Sequence, residues 1–143
     1  MEDDHSIVRE LQIKEALRDL INSYSRAADR GDCDLLESLF HPEAIIDSGV
    51  IRATPKVFAA RFGDWLRQNA DRVFHMACTA RFEIDGAQAR GDVQVIALCQ
   101  MNHLHDNKRL ITAGRYADSY VLYGGKWVFG ERVFTPEMAW ECP

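Results

Sequence analysis

The chain is expected to fold as an α+β protein, with helices in its first half and a strongly bent antiparallel sheet in its second. Three observations lead there. Apolar residues recur at three- and four-residue steps through the first thirty positions, and again over 54–70. From residue 73 onward the dominant period is two. The strand-like segments follow one another across short turns, which suits hairpins rather than the long crossovers that parallel strands need.

Taken in order, Leu17, Leu20, Ile21, Tyr24 and Ala28 form the apolar stripe of one long helix, and Gly31 is placed to end it. "DCDLLESLF" reads as a short second helix with Asp32 as N-cap, stopped by Pro42. "AIIDSG" reads as a short strand. "TPKVFAARFGDWLRQNA" is a third helix, with Thr54 as N-cap, Pro55 in the first helical position, and Val57, Phe58, Phe62, Trp65 and Leu66 on its buried side. Strands are expected over 73–84 and 88–102, joined by the turn "DGAQ", and over about 109–123. A last strand, "KWVFGERVFTP", follows the "GG" turn at 124–125. In "VFHMACTARFEIDG", strict alternation puts Phe74, Met76, Cys78, Ala80, Phe82 and Ile84 on one face. His75 falls on the other, an ionisable group in a largely apolar strand.

The 143 residues are read as one domain, 1–143, long enough to bury a substantial core. Hydrophobic residues make up 47% and charged residues 27%, a globular composition. A formal charge of −5, with no run of Lys and Arg, argues against nucleic acid and anionic membrane as partners. The acidic start "MEDDHS" precedes no apolar signal core, and the four cysteines form no C-x-x-C pair. A cytoplasmic protein with reduced thiols is the expectation. No G-x-G-x-x-G, P-loop or G-x-S-x-G is present, which removes the nucleotide and serine-hydrolase readings. "NHLHDN" offers His103 and His105 on one strand face, but no further ligand at recognisable spacing, so neither metal nor cofactor is expected.

Four pieces together carry a family resemblance: "YSRAADRGDCDLLESLFHPEAIID" at 24–47, the histidine of "FHMACT" at 74–79, "GRYADSYVLYGGKWVF" at 114–129, and "ERV" at 131–133. In this order and spacing the chain resembles the SnoaL-like branch of the nuclear-transport-factor-2-like superfamily. That branch is similar to scytalone dehydratase, bile-acid dehydratase and hexachlorocyclohexane dehydrochlorinase. The resemblance implies a cone-shaped curved antiparallel sheet packed by three N-terminal helices, a cystatin-like α+β barrel around a deep apolar pocket. It also implies a homo-oligomer, dimer or trimer, with the outer sheet face buried between subunits. Phe74, Met76 and Phe82 would supply that face.

Carried over residue by residue, the resemblance pairs Asp29, near the end of the first helix, with His75. The chemistry is coherent by itself: a carboxylate bonded to one imidazole nitrogen fixes the tautomer, favours the charged form, and leaves the other nitrogen as general base. From the residues alone a solvated helix-end aspartate and a satisfied core histidine remain open. Arg132 resembles a pocket-facing strand arginine able to bind a leaving anion or developing oxyanion. Its alternation with Val128, Gly130 and Phe134 suits an inward face, while pairing with Glu131 or another surface acid is the alternative. Tyr24, five residues before Asp29, is read either as a hydrogen-bond donor to a substrate oxygen or as a core aromatic. Ser48, His103 and Phe134 complete the expected substrate-binding set, and Arg115 and Tyr116 are read as framework. Departures are visible too. Ala28 and Ser48 stand where scytalone dehydratase has two tyrosines, and Tyr24 stands where the dehydrochlorinase has lysine.

The expected function is a cofactor-independent lyase of the dehydratase type acting on a small hydrophobic cyclic ketone or alcohol. Alternatives are an isomerase or polyketide cyclase using the same base, a non-catalytic small-ligand binder, and the small subunit of a ring-hydroxylating dioxygenase.

Overall fold

Six strands form a curved sheet that does not close, in the order β2-β1-β6-β5-β4-β3, with three helices against its concave side. The computed structural model describes residues 3–143. The elements are α1 (Asp4–Arg30), α2 (Cys33–Ser38), β1 (Phe40–Asp47), β2 (Arg52–Ala53), α3 (Pro55–Asn69), β3 (Ala70–Asp85), β4 (Gln88–Met101), β5 (Arg109–Tyr123) and β6 (Lys126–Cys142). Among the described residues no helix is long and apolar enough to cross a membrane.

The helices follow their sequence signals. The expected stripe on α1 is buried, with Ala27 added to it, and Leu17 is fully enclosed. Gly31 adopts φ 64°, and its N–H caps the carbonyls of Ala27 and Ala28; only glycine takes that conformation without strain. Asp32 caps α2 by accepting from the Leu35 N–H at 3.1 Å. Thr54 precedes Pro55 in extended conformation, but its hydroxyl makes no cap bond. On α3 the buried side is Pro55, Phe58, Ala59 and Gly63, whereas Val57 and Trp65 are exposed.

Two strands depart from the sequence reading. β1 is longer than "AIIDSG" and contains Pro42, where the ladder to β6 shifts register between Phe40 and Ile45. A proline can sit there because an irregular stretch does not need its missing N–H. β1 also runs parallel to β6, although the other pairings are antiparallel. Hairpin logic applies to sequence neighbours, and β1 lies beside the last strand.

In β3 the pairing with β4 shifts between Ala77 and Ala80. This bulge bends the sheet and reverses the parity of side chains across it. The concave face therefore carries Val73, His75 and Ala77, then Ala80, Phe82 and Ile84. Phe74 and Met76 point outward, but Phe82 does not: its ring meets Tyr120 at 5.9 Å in the core. Outward, Phe74 pairs with Leu98, Leu98 with Ile111 and Ile111 with Trp140, and a second row runs Met76, Ile96, Ala113, Met138.

Candidate functional site

Inside the cone lies a mostly apolar cavity of about 240 Å³, to which nearly every element contributes. α1 supplies Tyr24, and α3 supplies Phe58, Phe62 and Trp65. Asp47 and Ser48 enter at the end of β1, and Val73 and His75 from the start of β3. β4 to β6 give Ala97 and Cys99, Thr112 and Tyr116, then Arg132 and Phe134.

The structure brings Asp29 and His75 together. Gly31 ends α1 so that Asp29, in its last turn, meets β3 just after that strand begins. Asp29 Oδ1 accepts from the His75 backbone N–H at 2.8 Å and lies 2.7 Å from His75 Nδ1. His75 lines the cavity, while Asp29 sits behind it, facing an open polar cleft with Arg30, Arg67, Asp71 and Arg72. Their side chains are 13% and 20% exposed. With Nδ1 engaged, Nε2 is the ring nitrogen that has no protein partner among the described residues.

Arg132 is a second centre. Its partner is neither Glu131 nor a surface acid, but Asp118 on the inward phase of β5, directly opposite it in the β5–β6 ladder. Nε donates to Oδ1 at 2.9 Å and Nη2 to Oδ2 at 2.8 Å, with both side chains essentially inaccessible. Tyr120 donates to Asp118 Oδ2 at 2.7 Å. The guanidinium is sandwiched by rings, with Cζ 3.7 Å from the Tyr116 centroid and 4.4 Å from those of Tyr24 and Phe129. Burial works to discharge Arg132, but the charge and hydrogen bonds of Asp118 outweigh it and hold the guanidinium more firmly protonated than usual. Nη1 is buried without a hydrogen-bond partner. Such donors are rarely left unpaired, so one donor of this cavity-lining residue stays unmatched by the protein.

Burial is also the main cause that raises Tyr24 and Tyr116, so both keep their protons and remain donors. Cys99 is raised by burial as well, which disfavours its nucleophilic thiolate form. Asp47 is held below the usual carboxylate range by the Gly49 N–H and by Arg52.

Of the expected residues, Tyr24, His75, Arg132, Ser48 and Phe134 line the cavity, with Asp29 behind His75. Ser48 is occupied locally: its Oγ accepts from the Ile51 N–H at 3.0 Å and contacts the Ile51 carbonyl. His103 is misplaced by the strand reading. β4 ends at Met101, Asn102 caps a 3₁₀ turn over His103–His105, and His103 is exposed outside the cavity. His105 bonds Asn69 at 2.7 Å instead. Sequence reasoning missed Asp118 altogether and treated Tyr116 as framework. An acid between two tyrosines on one strand phase, in "YADSY", was the available signal.

These features define a class of protein: a small α+β cone enclosing an apolar cavity with a histidine–carboxylate pair and a buried guanidinium. The chain belongs to the SnoaL-like domain family, whose pattern matches residues 9–133. Its backbone is similar to a hexachlorocyclohexane dehydrochlorinase, LinA type 2 (TM-score 0.86, 17% identity, 95% of this chain and 93% of that one). It is also similar to a protein provisionally assigned as a scytalone dehydratase, from Novosphingobium aromaticivorans (0.82, 18%, 91% and 87%). A third likeness is to a nuclear-transport-factor-2-like protein from Salmonella enterica (0.81, 14%, 90% and 94%). No curated protein matches by sequence. At these identities the likeness establishes the fold, and the site must carry the argument about function.

Proposed function

We propose that the protein is a cofactor-independent lyase of the dehydratase type, acting on a small hydrophobic cyclic ketone or alcohol. One observation carries this reading: Nδ1 of the cavity-lining His75 is held 2.7 Å from a carboxylate oxygen, which leaves Nε2 as the basic nitrogen. Nε2 takes a proton from the carbon next to the carbonyl, and the electron pair of that C–H bond moves to make an enolate. The enolate oxygen is stabilised by Arg132 Nη1–H and the Tyr24 hydroxyl. As the enolate collapses, a C=C bond forms, the C–O bond to the neighbouring hydroxyl breaks, and the imidazolium returns its proton to the leaving oxygen as water. Asp29 stabilises the imidazolium between the two steps.

The test is catalysed exchange and elimination. Cyclic ketones in deuterium oxide are followed by NMR for exchange beside the carbonyl, and their β-hydroxy derivatives by ultraviolet absorbance for loss of water. Wild-type protein is expected to catalyse both, and His75→Gln to lose about 10²–10⁴-fold, the usual worth of a general base. Exchange without elimination would move the assignment to an isomerase or cyclase. Activity unchanged in His75→Gln would remove the histidine mechanism and favour a non-catalytic binder or dioxygenase subunit.

The convex apolar rows starting at Phe74 and Met76 are proposed as the contact with a second copy of the chain. Their margin carries both charge signs, Arg115 standing between Asp92 and Glu137, so two copies related by symmetry can pair unlike charges. Light scattering is expected to show an oligomer that Trp140→Lys with Met138→Glu dissociates. A monomeric wild type would contradict it.

A further inference from the structure

One row of inward positions crosses four strands and has a gap in it. Phe82 on β3 stands opposite Gly91 on β4, Gly91 opposite Asp118 on β5, and Asp118 opposite Arg132 on β6. Gly91 is the member of that row with no side chain. The space over it is filled from the next inward position of β5 by Tyr120, whose ring is wholly buried and meets Phe82 edge-on at 5.9 Å between centroids.

A methyl group on Gly91 would stand 2.6 Å from the Tyr120 hydroxyl oxygen, 2.8 Å from Cε2 and 3.1 Å from Cζ. The first two separations are shorter than a Cβ tolerates, and all three atoms belong to one ring. Backbone conformation does not call for the glycine. Gly91 is not among the glycines at positive φ, and an extended strand suits alanine better. Other strand glycines differ. At Gly114 the nearest atom is the Thr135 backbone oxygen, so the close approach of β5 and β6 excludes any side chain there. At Gly130 it is the Ser119 hydroxyl, at 3.0 Å. The space at Gly91 belongs to Tyr120.

That ring anchors the buried ion pair. Tyr120 donates to Asp118 Oδ2 at 2.7 Å, and the same carboxylate accepts from Arg132 Nε and Nη2 at 2.9 and 2.8 Å. Burial, then the charge of Asp118, keep the phenol protonated, so it is a permanent donor. The two arginine bonds fix the guanidinium and the carboxylate relative to each other, but the carboxylate torsion is soft and the pair can shift together. The tyrosine bond adds a third fixed point, because its ring packs against both Phe82 and Phe129.

We infer that Gly91 is a positioning residue for Arg132: by giving the Tyr120 ring its place, it maintains the Tyr120–Asp118 hydrogen bond and, through it, holds the guanidinium in the cavity wall. The catalytic consequence rests on the lyase reading, in which Arg132 stabilises the enolate. The structural consequence does not.

The probe is the Nε–H of Arg132, a buried, hydrogen-bonded proton expected to give a slowly exchanging ¹H–¹⁵N signal that is lost in Arg132→Lys. Gly91→Ala should speed its exchange with solvent about tenfold or more, with the circular dichroism spectrum unchanged, and should slow the catalysed deuterium exchange of cyclic ketones. Tyr120→Phe, which removes only the hydroxyl, should speed the same proton; if it does not, the tyrosine is not the route and the inference fails. Tyr120→Leu removes all three atoms that the methyl would meet, so adding Gly91→Ala to it should alter neither the Arg132 signal nor the melting temperature further. A second loss of similar size in that background would show that the glycine serves something other than Tyr120, and this holds even where Gly91→Ala alone does not fold. A folded Gly91→Ala with a lower melting temperature but an unchanged Arg132 signal reduces Gly91 to packing and overturns the inference. Faster Nε–H exchange in Gly91→Ala, beside a wild type that catalyses nothing, would support the positioning and sink only the lyase reading.

Discussion

The molecule holds two pairs of a carboxylate and a basic side chain on the concave side of one sheet, and they differ in burial and in geometry. Asp118 and Arg132 are sealed from solvent, joined by two hydrogen bonds, and pinned further by Tyr120. Arg132 cannot give up its proton there. Asp29 and His75 meet through one carboxylate oxygen, keep some exposure, and stand between the cavity and an open polar cleft. A residue that stabilises developing charge works best when its own charge never moves. A base needs a route by which protons come and go. In the proposed reaction, the contrast suits the sealed pair to electrostatic stabilisation and the solvated one to proton transfer.

Breaking the sealed pair should have the largest effect on stability. Asp118→Ala leaves a buried guanidinium unpaired, and is expected to cost about 3–5 kcal/mol in urea-induced unfolding. Tyr120→Phe removes one buried hydrogen bond to the same carboxylate, so a loss of about 1.5–3 kcal/mol should appear in thermal melts. Asp29→Ala should cost less, about 1–2 kcal/mol by guanidinium titration, because water can reach the groups it leaves behind. If Asp29→Ala proves more damaging than Asp118→Ala, the division of roles is wrong.

The smallest effect concerns acid. Asp47 binds protons more weakly in the folded chain than in the unfolded one, so its contribution is present above the ordinary carboxylate range near pH 4 and lost as pH falls below it. Asp47→Asn should therefore lower the melting temperature slightly at pH 6 and narrow the gap to wild type at pH 3. An equal difference at both pH values would count against this assignment.

How much of this was legible in the sequence depended on the range of the interaction. The α1 stripe, Gly31 and Asp32 are local devices, and they fell where the sequence placed them. The bulge in β3 is not visible in "VFHMACTARFEIDG", since an extra residue leaves the composition untouched while exchanging the two faces. That is why Phe82 was assigned to the wrong side and Phe74 to the right one. Asp118 was missed because its meaning depends on the β5–β6 register that sets it opposite Arg132. His103 was placed on a strand face although the strand was expected to end at 102; Asn102 instead caps a turn that carries His103 and His105, and Asp106 and Asn107 follow at positive φ. The Asp29–His75 match came from family resemblance, since forty-six residues separate the partners and no local pattern joins them.

The most direct test of the central claim is the tautomer of neutral His75, read from the ¹⁵N shifts of its two ring nitrogens with His75→Gln for assignment. If Asp29 fixes the ring so that Nε2 is the base, the proton must sit on Nδ1, the form that free histidine disfavours. Observation of the Nδ1–H tautomer is the expected result. A predominant Nε2–H form would mean that the cavity is offered a donor and not a base, and the proton-transfer role given to this pair would be contradicted.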